Sequence, residues 1–137
     1  MNLTPDELLV LVGHKMQRAS EALRDARFLL ENKRNALAVN RVYYGMFYAL
    51  SAFALKKGFA SSKHQPLISW FNQGFVKTGR VDGRFGKALH RAYDKRSFAD
   101  YADYVVFSEA EVQAMIQDLD EFITEMGRLI SQEAANH

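Results

Sequence analysis

Apolar residues recur at steps of three and four along much of this 137-residue chain, and this spacing restricts the possible folds more than any other feature. One series near the N-terminus is Leu8, Val12, Met16, Ala19, Leu23, Ala26 and Leu30. A second series near the C-terminus is Val112, Met115, Leu119, Phe122, Met126 and Leu129. Because an α-helix has about 3.6 residues per turn, each series forms one apolar stripe on a helix. No segment of useful length alternates as a strand does, so the sequence predicts an all-α fold.

Capping and turn residues divide the chain into five predicted helices. Thr4, Pro5 and Glu7 form a capping box with proline at the first helical position. Ser108 and Glu111 repeat the box at the start of the last helix. The predicted helices cover residues 5–30, 36–57, 61–79, 82–97 and 108–129, with glycines at 58 and 79 as stops. We expect an antiparallel up-and-down bundle of four to five helices with one short helical insertion.

The composition excludes several classes of protein. We expect residues 1–137 to form a single domain, since this length can bury a substantial core. The chain has no cysteine, which excludes disulfides, thiolate zinc sites and thiol nucleophiles. The N-terminus does not read as a signal peptide, and the longest apolar runs are too short to cross a membrane. We therefore expect a cytoplasmic, soluble protein without a membrane partner.

Charge is divided unevenly along the chain. Residues 1–97 hold 17 Lys or Arg against 7 Asp or Glu, whereas residues 98–137 hold 1 against 9. Six cations of the fourth helical region form what we call the basic ridge: Arg80, Arg84, Lys87, Arg91, Lys95 and the adjoining Arg96. Such a ridge could bind an anionic partner such as a phosphate backbone. The alternative is that its cations are solvated or pair with the acidic last helix.

Most common catalytic and cofactor patterns are absent from the sequence. The four histidines, His14, His64, His90 and His137, show no metal-ligand spacing with one another or with carboxylates. Phosphate-loop and dinucleotide fingerprints are absent, and no serine lies in a nucleophile elbow. We predict no metal and no cofactor.

Two polar segments stand out against this background. The connection before the last helix gathers Arg96 and a tandem Ala-Asp-Tyr that ends at Tyr104. It could be an active site, an ion-paired corner or the remains of a site. The second helix carries Arg41, Tyr43, Tyr44 and Tyr48 on a surface that otherwise reads as core. The tyrosines suit core or interface packing, and a buried arginine would need acidic partners.

Three runs of sequence resemble the HEPN superfamily. They are "AVNRVYYGMFYALSAFAL", "KHQPLISWFNQGFVKTG" and "GKALHRAYDKRSFADY", in that order. The resemblance is greatest to small prokaryotic members found beside minimal nucleotidyltransferases, and it spans roughly residues 5–130. It implies a helical bundle that forms a homodimer. It also implies, for catalytically active members, metal-independent cleavage of RNA by an arginine and a histidine separated by four to six residues.

The resemblance suggests two positions for that signature. Arg84 and His90 match the spacing, but six residues of helix place their side chains roughly 120° apart. Arg96 matches the position just before the last helix, where Asp100 and Tyr101 stand in the region of the histidine. Aspartate and tyrosine titrate far from neutrality, so neither transfers protons easily there. Because partner nucleotidyltransferases in the superfamily can adenylylate a tyrosine close to the motif, Tyr101 and Tyr104 are candidates for modification.

Three functional interpretations follow from these observations. The first is a module that binds RNA or a nucleotide through the basic ridge and acts with a partner nucleotidyltransferase in a toxin–antitoxin-type system. The second is an endoribonuclease that uses Arg96 with Asp100 or Tyr101, or Arg84 with His90. The third is a dimeric interaction protein in which the charges and aromatic rings only form contacts.

Overall fold

The computed structural model describes the backbone of residues 3–99 and 106–135 and the side chains of residues 3–98 and 106–132. Over these residues the chain forms five α-helices and one π-helical turn, without a strand. The helices are α1 Pro5–Glu31, α2 Asn35–Lys56, α3 His64–Phe71, α4 Gly83–Ala99 and α5 Glu109–Ala135, with the π-helical turn at Asn72–Val76. The predicted all-α class is confirmed.

Helix α2 is the central element of the bundle. It packs most extensively against α1, then against α5 and α4, and it also contacts α3. Twelve residues spread around α2 are buried, so the helix is covered on most sides. The two apolar stripes predicted for α1 and α5 lie against it, and Leu119 and Phe122 of α5 are fully buried. Apolar burial on α1, α2 and α5 therefore holds the long helices together.

The helix ends follow the local signals with one difference. At α1, Thr4 accepts from Glu7 N at 3.1 Å and Glu7 accepts from Thr4 N at 3.0 Å, which completes the capping box. At α5, Ser108 Oγ accepts from Glu111 N at 3.1 Å, but the Glu111 carboxylate lies 3.6 Å from Lys95 Nζ instead of returning to the cap. The second box is therefore formed only in its serine half.

The insertion between α2 and α4 differs from the single helix predicted over residues 61–79. The helix begins at His64, later than predicted, and gives way to the π-helical turn at Asn72. Gly79 then takes a φ of 79°, which favours glycine and ends the helical segment. Gly86 of α4 lies so close to this turn that a Cβ there would approach Asn72 Oδ1 to 3.1 Å. The insertion thus packs directly on α4.

Helix α4 begins too late to include the first residue of the basic ridge. Asp82 Oδ1 accepts from Arg84 N at 2.9 Å just before the first turn, and the helix starts at Gly83. Arg80 therefore lies outside the helix, with its guanidinium 4.8 Å from the centre of the Phe75 ring. Because the helix does not reach back to residue 80, Arg80 does not share the helical face of Arg84, Lys87, Arg91 and Lys95. No helix within the described part of the chain has the length and apolar character needed to cross a membrane.

Candidate functional site

The basic ridge lies beside acidic residues of α5. Three of its cations form ion pairs across the two helices: Arg84 with Glu121 at 3.4 Å, Arg91 with Asp118 at 3.1 Å and Lys95 with Glu111 at 3.6 Å. Burial raises the pKa of the Asp118 carboxyl, and the nearby Arg91 guanidinium acts in the opposite direction. These carboxylates neutralise much of the positive charge that the ridge would offer to an anion.

Arg84 and His90 do not form a common site. The helix is continuous from Gly83 to Ala99, without a break at Gly86. Arg84 turns to Glu121 on α5, whereas His90 Nε2 lies 3.2 Å from Asp94 on its own helix, at an exposed position. The two side chains are thus engaged with different partners, as their separation around the helix predicts.

Arg96 occupies a different environment from the rest of the ridge. Its Nη2 donates to the Tyr44 hydroxyl at 2.9 Å. Its guanidinium carbon lies 5.3 Å from the centre of the Tyr44 ring and 5.7 Å from that of Tyr43. The side chain is half-buried, and Tyr43 is fully buried beneath it. Helix α4 therefore presents this cation to two phenols of the central helix instead of bulk solvent.

His64, the first residue of α3, joins the same group of side chains. Its Nδ1 lies 2.5 Å from the Tyr43 hydroxyl. Its ring stacks on Phe47 with the centroids 4.3 Å apart, and it meets the Tyr44 ring edge-on with the centroids 6.0 Å apart. We call Tyr43, Tyr44, His64 and Arg96 the Arg96 cluster. Side chains from α2, α3 and α4 meet here, on parts of the chain that are distant in sequence.

The protonation states in the Arg96 cluster follow from burial and charge. Burial raises the pKa of the Tyr43 phenol well above its ordinary value, so the phenol keeps its proton. Burial, and then the positive charge of Arg96, lower the pKa of His64 below its ordinary 6.5. At neutral pH a protonated phenol therefore meets a neutral imidazole. The Tyr43 hydroxyl donates to Nδ1 when the ring proton lies on Nε2, and it accepts from Nδ1–H in the other tautomer.

This arrangement has the chemical properties of a small anion site with a proton-transfer group. A permanent cation and a neutral imidazole contact the same two tyrosines. Nε2 of His64 has no hydrogen-bond partner among the described residues, which leaves it able to meet a ligand. Within the described ranges, no group of three or more histidines or carboxylates could hold a metal ion.

Apart from Arg96, sequence and structure identify different residues as the site. Asp100, Tyr101 and Tyr104 fall outside the described residues. His64 was not singled out, because nothing in the local sequence links it to Tyr43 or to Arg96. Tyr43 follows the apolar spacing of α2, and the tyrosines of this helix suit core or interface packing, so the sequence alone predicts packing residues here. Only the position of α3 against α2 makes this histidine part of a site.

Comparisons with known proteins show the family of this chain. A model of the family described as "HEPN domain" matches residues 13–129. A Thermotoga maritima protein named "UPF0332 protein" is 40% identical over 120 residues, covering 88% of this chain and 91% of its own. Two Methanocaldococcus jannaschii proteins whose names read "Putative toxin" are each 30% identical, over 83% and 80% of this chain and 84% and 71% of theirs. The chain therefore belongs to the HEPN domain family.

Proposed function

We propose that this HEPN-family protein is the toxin-type component of a two-component system and binds RNA or a nucleotide at the Arg96 cluster. The names of the Methanocaldococcus jannaschii relatives support the toxin-type role. In this proposal the protein forms a homodimer, and a minimal nucleotidyltransferase is its partner. Within the basic ridge, Lys87 contributes more to this binding than the acid-paired cations do, because Lys87 makes no ion pair with the described residues.

The position of Arg96 is the observation that supports this proposal most strongly. A guanidinium binds phosphate through several N–H groups in a plane, and its charge does not depend on pH. Here it is half-buried between phenols, where an electrostatic contact is screened less than on the open surface.

Expression in bacterial cells tests the proposal. We expect the wild type to arrest growth and to change the pattern of cellular RNA, and we expect Arg96→Ala to do neither. Arg91→Ala is the matched control, because it removes an arginine from the same helix that pairs with Asp118. Both variants should retain the melting temperature of the wild type within a few degrees. Growth arrest by Arg96→Ala at wild-type strength would contradict the proposal.

The proposed partner and modification have their own test. A neighbouring gene for a small nucleotidyltransferase would supply the partner, and its coexpression should relieve growth arrest. Mass spectrometry of the coexpressed protein should then find an added adenylyl group at Tyr101 or Tyr104. An unmodified protein, with growth arrest unrelieved in the presence of the partner, would remove this part of the proposal.

A ribonuclease is the second candidate, and the contact of His64 and Arg96 with the same two tyrosines favours it. In this reaction the ribose 2′-oxygen attacks the adjacent phosphorus, and the bond from phosphorus to the 5′-oxygen breaks. In the tautomer whose Nδ1–H donates to the Tyr43 oxygen, Nε2 of His64 takes the 2′-hydroxyl proton, and the resulting imidazolium returns that proton from Nε2 to the 5′-oxygen. Arg96 stabilises the charge on the phosphorane.

RNA ends distinguish cleavage from binding alone. A ribonuclease of this kind leaves fragments with 2′,3′-cyclic phosphate ends, and these should disappear in His64→Ala but persist in His90→Ala. His90 is a suitable control because it is exposed and paired with Asp94, away from the described cluster. Cyclic phosphate ends that persist in His64→Ala would exclude His64 as the proton-transfer group.

A further inference from the structure

A face formed by α1 and α2 combines guanidinium groups with tyrosine rings. The Arg18 guanidinium lies 5.0 Å from the centre of the Tyr48 ring, and that of Arg41 lies 5.3 Å from the centre of the Tyr44 ring. We call these four residues the guanidinium–tyrosine face. Residues 41, 44 and 48 are spaced by three and four, which places them on one side of α2. Through Tyr44 the face continues into the Arg96 cluster.

The cations of this face differ from those of the basic ridge in their partners. Neither Arg18 nor Arg41 has a carboxylate within ion-pair distance among the described residues. Arg41 donates only to the neutral Asn40 side chain, at 3.1 and 3.3 Å. The ridge cations Arg84 and Arg91 each face a carboxylate of α5. The face therefore retains positive charge that the ridge has largely lost.

The aromatic part of the face narrows the class of ligand. Tyr44 and Tyr48 are both partly exposed, so each ring keeps some surface open to solvent. A base stacks on an aromatic ring or on a guanidinium plane, and a phosphate pairs with the cation beside it. Exposed bases are available in single-stranded RNA but not within a duplex. An acidic protein would pair its carboxylates with the cations, but it would present no base to stack on the tyrosine rings.

We propose that the guanidinium–tyrosine face binds single-stranded RNA and leads it to the Arg96 cluster. The inference rests on the proposed function, because it names the strand form and the surface by which RNA reaches that cluster. Bases stack against Tyr48 and its Arg18 partner, while phosphates meet Arg18 and Arg41. The strand then reaches Tyr44, which contacts both Arg41 and Arg96.

Fluorescence anisotropy with a labelled single-stranded oligouridylate of about ten nucleotides tests this surface. Tyr48→Leu should weaken binding about tenfold, because it removes the ring and retains an apolar side chain. Tyr48→Phe should bind like the wild type, because it retains the ring. This pair of variants separates stacking from a hydrogen bond of the hydroxyl.

The salt dependence of the same binding reports the phosphate contacts. Arg18→Ala should lower the slope of log affinity against log salt by about 0.7, the value for one phosphate contact on a single strand. Arg27→Ala is the matched control, since Arg27 lies on the same helix as Arg18 but already pairs with Asp120 at 3.2 Å, and its slope should stay near that of the wild type. Melting temperatures of all variants should be recorded to confirm that each is folded.

Four results would overturn the inference. If Tyr48→Leu binds the oligouridylate as tightly as the wild type, bases do not stack on this face. If Arg84→Ala lowers the salt slope and Arg18→Ala does not, RNA lies on the ridge, and the proposed function survives without this surface. If Tyr48→Leu separates a dimer in sedimentation velocity without changing RNA affinity, the face joins two copies of the chain. A wild type that binds no RNA at low salt would overturn the RNA-binding function as well.

Discussion

His64 shows how a single residue acquires a role from packing. Phe47 and Tyr43 stack on its ring, and the Tyr43 hydroxyl fixes Nδ1. Burial and the charge of Arg96 both disfavour the imidazolium form, so the ring is neutral at physiological pH. A neutral ring can accept a proton at Nε2 when its own proton lies on Nδ1.

The pKa of His64 provides a test at the scale of this residue. Arg96→Gln removes the positive charge while leaving a polar side chain of similar length, so the pKa of His64 should rise toward its ordinary 6.5. NMR titration of the His64 ring proton measures this value. Arg84→Gln is the control and should leave the pKa of His64 unchanged. An unchanged pKa in Arg96→Gln would show that the two groups do not interact.

The same lowered pKa makes the stability of the fold depend on pH. As the pH falls, the unfolded chain binds a proton at His64 before the folded protein does. The neutral His64 ring therefore makes its full contribution to the stability of the fold above about pH 6.5. This contribution is lost as the pH falls through the lowered pKa of His64. Urea unfolding at about pH 7.5 and about pH 5.5 should show a larger loss for the wild type than for His64→Gln. Equal losses in the two proteins would contradict this linkage.

At the scale of helices, α2 and α5 approach each other closely at Gly45. A Cβ at this position would lie 2.8 Å from Leu119 Cδ1 and 3.3 Å from Ala22 Cβ. Leu119 is fully buried, so its side chain has little room to move away. The absence of a side chain at residue 45 thus sets the distance between the two helices.

Two glycine substitutions test this contact. Gly45→Ala should lower the free energy of unfolding by about 1 kcal/mol. The steric clash of the added methyl group costs about 1 to 3 kcal/mol, which outweighs the gain of about 1 kcal/mol from the higher helix propensity of alanine. Gly13→Ala should raise it by about 1 kcal/mol, since nothing lies within 4 Å of its new Cβ. Urea unfolding measures both. A stabilised Gly45→Ala would show that α2 and α5 have room at this point.

The ion pairs between α4 and α5 should contribute little to the stability of the fold. Arg91 and Asp118 lie 3.1 Å apart, with side chains 54% and 29% exposed. Arg91→Ala should therefore change the free energy of unfolding by less than about 1 kcal/mol, as is usual for pairs near the surface. Urea unfolding at low and high salt measures this change. A loss of several kcal/mol would mean that the pair is a major support of the bundle.

Local signals predicted the helices better than they predicted the site. The apolar stripes and the Thr4–Glu7 box depend on neighbours within one or two turns, so they can be read from sequence. The start of α4 at Gly83, where Asp82 Oδ1 accepts from Arg84 N, is also local and lies within one residue of the predicted start. The π-helical turn lies against Gly86 of α4, and no local signal predicts it. The contact of Tyr43 with His64 joins two helices through residues that lie 21 positions apart in the sequence. Such a contact has no periodic signal, so it could not be predicted.

For the molecule as a whole, the uneven charge along the sequence has a structural explanation. The acidic C-terminal part includes α5, which lies beside the basic α4, so much of the opposite charge meets within the bundle. The acid-paired interpretation of the ridge therefore describes Arg84, Arg91 and Lys95. Cations without a described carboxylate, such as Arg18 and Arg41, lie on a different face. The net charge of a segment thus does not identify the surface that an anion meets.

The central claim is that the Arg96 cluster, and not the acid-paired ridge, receives a phosphate-bearing ligand. NMR titration of the protein with a short single-stranded RNA tests this most directly, because His64 and His90 report separately on the two regions. We predict saturable shifts of the His64 ring proton and of the Arg96 side-chain N–H, with His90 nearly unchanged. Shifts confined to His90 and Arg91, with His64 and Arg96 unaffected, would contradict the claim.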